Sequence, residues 1–254
     1  MLTGPAMTST YLFIAAITLA LLGAGLALTG CLRGARWSLL GSTLVCLGKL
    51  GSAFLTTGVL PVFVPVDALT GAALGIGILT LILIPVEGSA APRARLAGSG
   101  LLLAALLGLA LLMPPPPDCH GYNHTYPYAV AFHLFRRLAL ACVLTASLWF
   151  VIAYGRQKAG ARDKSERLGH QGRNLLLLGT VFYLLAEDTG IVWCLRGWAD
   201  VWRWSPGFMI SSAVLIFLML VFHLPGGYRR GSGWYLLLGG LSGPLLLLAQ
   251  IIHS

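Results

Sequence analysis

Apolar runs of about twenty residues recur along nearly the whole chain, separated by short polar, glycine-rich or proline-rich stretches. A helix rising ~1.5 Å per residue needs ~20 such residues to cross ~30 Å of hydrocarbon. Runs of this kind fall at 10–29, 38–60, 67–87, 97–113, 129–154, 173–195, 206–225 and 233–252. The pattern predicts an all-α, polytopic integral membrane protein with about eight transmembrane helices. The third run is the most interrupted, because Pro61, Pro65 and Asp67 crowd its start and glycines break its body. Lipid tolerates such residues when neighbouring helices satisfy the freed backbone groups. Two regions are expected: a four-helix membrane region over 1–113, and a second over 114–254 that opens on Pro114–Pro117, a stiff polyproline II segment.

Composition agrees with the pattern. Of 254 residues, 57% are hydrophobic and 10% charged, and a mean hydropathy of +0.83 leaves too few polar side chains to coat a water-soluble globule. The formal charge of +9 is explained by where the basic residues fall. Twelve of the 17 lie in alternate loops or at their edges: Arg33, Arg36, Arg93, Arg95, Arg156, Lys158, Arg162, Lys164, Arg167, Arg173, Arg229 and Arg230. Arg136, Arg137, Arg196 and Arg203 fall at the opposite face, and Lys49 lies within a run. The positive-inside rule then makes the first group cytoplasmic and sends both termini outward. No nucleic-acid partner is expected, the lipid bilayer is, and 155–172 reads as a charged, solvated connector. The first run lacks a basic leader and is expected to stay as an uncleaved span.

This topology gathers the candidate chemistry at the outer face. His120, His124, His133 and His253 come out there, close to the stretch "WCLRGWADVWRWSP" from Trp193 to Pro206. Tryptophan favours membrane interfaces, so these rings could be an anchoring belt. Trp198 and Trp202, spaced i and i+4, could equally share a face flanked by Trp193 and Trp204 and form an apolar floor for a planar ring. His133 opens the fifth run and His253 closes the eighth, so two imidazoles stand at similar depth, as bis-axial haem ligation needs. His223, near the inner end of the seventh run, reads either as a snorkelling interface histidine or as an intramembrane ligand.

Glu187 and Asp188 stand six and five residues before Trp193 in a very apolar run. They could form an ion pair with Arg136 or Arg137, fix the tautomer of His133, or accept protons beside a haem. No CxxCH occurs, so covalent haem is not expected on this chain. Cys119 and Cys194 both fall outside, where a disulfide is permitted.

The Trp193–Pro206 stretch resembles the tryptophan-rich WWD signature of the CcsA/CcmC-type haem-handling family of cytochrome c biogenesis, and is closest to its CcsA branch. The family pattern W-x4-W-x3-W-x-W-D-P keeps all four tryptophans and the proline here, with Ser205 in place of the acid. His223, seventeen residues after Pro206, "FHLFRRLALACVLTASLWFVIAYG" and the closing "QIIHS" also resemble the family, so the likeness covers about 128–254.

The resemblance implies non-covalent haem b held between His133 and His253 over Trp193, Trp198, Trp202 and Trp204, and its propionates are expected near Arg136, Arg137, Arg196 or Arg203. It implies a second haem ligand in His223. It further implies a bacterial inner membrane, a periplasmic working face, and presentation of haem to an apocytochrome c beside a CcsB-like partner. Ser205 and the absence of histidine before His120 leave a second reading open. In that reading the chain is a haem b electron-transfer subunit of a respiratory complex, exchanging electrons between the quinone pool and periplasmic c-type cytochromes, with Glu187 and Asp188 as candidate proton acceptors.

Overall fold

In lipid no water satisfies backbone N–H and C=O groups, so a chain this apolar resolves into helices. The computed structural model describes residues 4–84, 91–113, 126–198, 206–224 and 233–252, and among them all regular structure is helical. Among the described residues eight helices follow in order: α1 (Gly4–Thr29), α2 (Leu32–Thr57), α3 (Pro65–Leu83), α4 (Ala91–Leu112), α5 (Pro127–Lys158), α6 (Arg162–Trp198), α7 (Pro206–His223) and α8 (Gly233–Ile252). Seven are long and apolar enough to cross a membrane, and the apolar part of α7, Gly207–His223, is shorter. The protein is an all-α polytopic membrane protein. Its chain divides into two units, Met1–Thr125 and Tyr126–Ser254.

In the first unit α1 packs on α2 and α4, and α3 packs on α4 and α2. Lipid is as apolar as any core, so hydrophobicity does not decide which face turns inward; close approach of backbones does. On α1 the buried positions among the described residues are Phe13, Ala16, Ala20, Gly23, Ala24 and Ala27, mostly small, while Ile14, Leu21, Leu22 and Leu28 stand exposed. Gly100 of α4 sits so close to this alanine face that a Cβ there would lie 2.7 Å from the Ala20 carbonyl oxygen. Two serines of α2 add polar links to α1, Ser38 Oγ donating to Leu19 O at 2.7 Å and Ser42 Oγ to Ala16 O at 2.8 Å. Arg36 donates to Leu81 O at 2.8 Å and Ile84 O at 3.4 Å. A cation thereby meets the unpaired carbonyls that close α3.

The second unit is built on the α5–α6 hairpin, with α8 against α5 and α7 against α8. The expected solvated connector at 155–172 is instead mostly helix: α5 continues to Lys158, α6 begins at Arg162, and the turn takes Gly160 to φ +80°. Charge alone misled here, since Lys, Arg, Glu and Gln are good helix formers. Ser165 Oγ donates to Ala153 O at 2.7 Å, joining the two arms near the turn.

The α5–α8 contact turns on Pro244, inside α8. Proline removes a backbone donor and crowds the preceding turn. One turn earlier the Ser147 hydroxyl lies between two backbone groups of that turn. It accepts from Gly243 N at 2.7 Å and donates to Gly239 O at 3.1 Å. Gly239 and Gly243, spaced as in GxxxG, leave no room for a Cβ against Phe150, Leu144 and Ser147. Replacing Ser147 by alanine strands both backbone groups, and we expect it to lower the unfolding free energy in detergent by about 1–2 kcal/mol. Unchanged stability would show that Gly243 N and Gly239 O pair directly once the hydroxyl is gone.

Candidate functional site

Proline at the first turn of α5 pre-sets its helical geometry, and His133 follows less than two turns later. The α5–α6 packing brings His133 against Trp193, near the far end of α6, with ring centroids 6.1 Å apart. Phe132 completes an aromatic trio, 5.1 Å from His133 and edge-on, and 5.8 Å from Trp193. His133 and Trp193 are half-buried and Phe132 is buried. At the same helix ends the Arg196 guanidinium lies 5.2 Å from the Tyr128 ring centroid, a cation–π contact that keeps a positive charge beside the trio.

One turn along α5, Arg136 gathers the rest of the unit. Its Nη2 donates to Glu187 Oε1 of α6 at 2.8 Å and to Ser211 Oγ of α7 at 2.5 Å. Its guanidinium also lies over Phe132 at 4.7 Å and over Tyr183 at 5.8 Å. The Tyr183 hydroxyl donates to Ser211 O at 3.0 Å, and Gln250 of α8 donates to Arg136 O at 3.1 Å. One residue of α5 therefore touches α6, α7 and α8. The Arg136 and Glu187 side chains are only 12% and 16% exposed, so the pair is screened little and each charge depends on the other. Arg137, its neighbour, is buried.

The two acids have different surroundings. Glu187 is held by Arg136, whereas Asp188 is exposed on α6. His223 ends α7 with an exposed ring whose Nδ1 lies 2.8 Å from Met219 O. Because a carbonyl can only accept, Nδ1–H is the donor in this contact. Trp198 is the last residue of α6. The Trp198 side chain, Trp202, Arg203, Trp204, Ser205, His120, His124, Cys119 and His253 lie outside the described residues. Among the described residues, no three His, Cys, Asp or Glu side chains converge as metal ligands. A haem takes axial nitrogens and apolar ring contacts, and His133 beside the half-buried Trp193 would supply one of each, the two rings tilted 58° to one another.

The sequence pointed to His133, Trp193, Arg136 and Glu187, which the fold brings together, but missed Ser211, Tyr183 and Gln250. Polar residues in apolar runs were the available signal, since each must find a partner inside the membrane. That signal also marks a second ion pair missed in the first unit. Lys49 Nζ of α2 lies 2.9 Å from Asp67 Oδ1 of α3, and 4.6 Å from the Phe13 ring centroid of α1.

These features define a polytopic helical membrane protein with an aromatic–histidine site at one end of its second unit. No known protein family, no curated protein and no solved structure matches the chain.

Proposed function

We propose that this protein binds haem b non-covalently at the periplasmic face of a bacterial inner membrane and presents it for attachment to an apocytochrome c. The observation that carries the reading is the pairing of His133 with Trp193, the first tryptophan of the haem-handling signature, across α5 and α6. Bound haem would supply the vinyl groups that react with substrate thiols, and an iron that takes axial imidazole. The chain supplies the rest. His133 offers a ring nitrogen, Trp193 and Phe132 an apolar wall, and Arg196 a positive charge toward propionates. Arg136 holds Glu187 and Ser211, and so fixes the helix ends on which the site stands. His253 and the remaining tryptophans complete the proposed site by resemblance.

Haem content and the visible spectrum of the purified protein test this reading. His133→Ala and His253→Ala should each lose most of the bound haem and the low-spin bis-histidine spectrum. Unchanged haem and spectrum in both variants would overturn the ligand assignment.

The second reading, a haem b subunit passing electrons between the quinone pool and periplasmic c-type cytochromes, is favoured by one observation. Asp188 leaves an exposed carboxylate on a spanning helix, which suits a chain working inside a larger membrane assembly. Deleting the gene separates the two. Loss of haem from several c-type cytochromes supports presentation, and loss of one respiratory activity with those cytochromes intact supports electron transfer.

A further inference from the structure

Asp188 stands on the outward stripe of α6, in line with Leu177, Val181, Leu184 and Leu195, which are 53%, 45%, 37% and 47% exposed. At ~1.5 Å per residue it lies ~7–8 Å inward of Trp193 along the helix. Side chains on an α-helix tilt toward its N-terminus. The N-terminus of α6 is at the far end from Trp193, so this short side chain leans deeper into the membrane and cannot snorkel to the nearer interface. Among the described residues, Asp188 makes no hydrogen bond or ion pair. Its neighbour Glu187, by contrast, is consumed by Arg136. A carboxylate facing hydrocarbon with no donor is expensive, and intramembrane acids of this kind face a partner, a cavity or another charge.

We propose that the Leu177–Leu195 stripe of α6 is the docking face for a transmembrane helix of a different protein, one that carries a lysine or arginine at the depth of Asp188. The stripe is the side of a single helix, which suits a second helix laid along it, whereas a small lipophilic ligand needs a concave pocket. A second copy of this chain does not fit. Two copies meeting on this stripe would oppose like carboxylates, and the in-span cations Lys49 and Arg136 are spent on Asp67 and Glu187 inside their own units. Arg137 is buried as well. The inference stands under either reading of the haem site.

Dicyclohexylcarbodiimide, a lipid-soluble reagent that couples to protonated carboxylic acids, tests it, with the adduct located by peptide mass spectrometry. In liposomes of the purified full chain the reagent should modify Asp188 and spare Glu187, and Asp188→Asn should abolish the adduct. In membranes of cells making the protein at its natural level, the Asp188 adduct should fall to a small fraction of that yield. The protection should survive solvent extraction of lipid-soluble quinones. Equal reactivity in both settings would overturn the proposal. So would an inert Asp188 in the purified chain, which would mean that the chain covers its own carboxylate. Protection lost on extraction would also overturn it, by making the occupant a lipophilic ligand.

Discussion

Replacing Arg136 by methionine should cost the Tyr126–Ser254 unit about 3 kcal/mol of unfolding free energy, because it leaves Glu187 as a buried charge with no counter-ion. The guanidinium joins Glu187 of α6 and Ser211 of α7 and lies against Phe132 and Tyr183. The loss is therefore felt by three helices at once. Glu187→Leu alone should cost comparably, for the mirror reason that Arg136 keeps the Ser211 hydroxyl and its ring contacts but no counter-ion. The double variant Arg136→Met/Glu187→Leu should recover much of the loss, since two apolar side chains of similar volume replace a pair whose desolvation offsets most of its attraction. Ser211→Ala removes a single hydrogen bond to a charged group and should cost about 1.5–3 kcal/mol. Unfolding in mixed micelles of rising dodecyl sulfate content, followed by helical circular dichroism, gives all four values. Single variants that each cost less than about 1 kcal/mol, with no coupling in the cycle, would mean that the helix ends are held by packing alone. His133 is the functional witness. Under the proposed haem reading, haem affinity should also fall in Arg136→Met if Arg136 positions His133, although Arg136 is not a proposed iron ligand.

Seven long helices of the described residues were legible because span length is set by the bilayer and their apolar runs report it, whereas the run at 206–225 gives the shorter α7. Their ends were less so. Hydropathy stops at the first charge, whereas α5 and α6 run on through Arg156, Lys158 and Arg162, where their mutual packing and a Ser165–Ala153 hydrogen bond persist. Inward faces were hidden for a related reason. When lipid and core are equally apolar, periodicity carries little information, and small residues such as Ala16, Ala20 and Ala24 mark the interface instead. The site was legible where chemistry is scarce, since a histidine, an arginine and an acid in apolar runs are conspicuous. An Arg–Glu pair across the fifth and sixth spans was one of three roles open to Glu187, and the fold makes it between Arg136 and Glu187. The share taken by Ser211 and Gln250 depends on the register of α7 and α8 against α5, and composition does not encode register.

The first unit offers a similar experiment with a different control. Asp67→Leu should destabilise Met1–Thr125 by about 3 kcal/mol, because Lys49 and Asp67 are 9% and 16% exposed and the lysine would be left in an apolar setting without its counter-ion. Lys49→Leu should cost a similar amount, and Lys49→Leu/Asp67→Leu should return close to the parent. The swapped pair, Lys49→Asp/Asp67→Lys, distinguishes a simple attraction from an oriented one. Asp67 lies in the first turn of α3, where the helix dipole favours an anion, and Lys49 lies over the Phe13 ring, which favours a cation. Swapping reverses both secondary terms, so the exchanged pair should regain only part of the lost stability. Full recovery would show that neither the dipole nor the ring contributes. Haem content read on the same proteins separates structure from function. Under the proposed haem reading, a charge-free Lys49→Leu/Asp67→Leu protein that folds and binds haem like the parent makes the pair a latch between α2 and α3. One that folds but loses haem would join the first unit to the chemistry of the second, a role that no residue before His120 was expected to have.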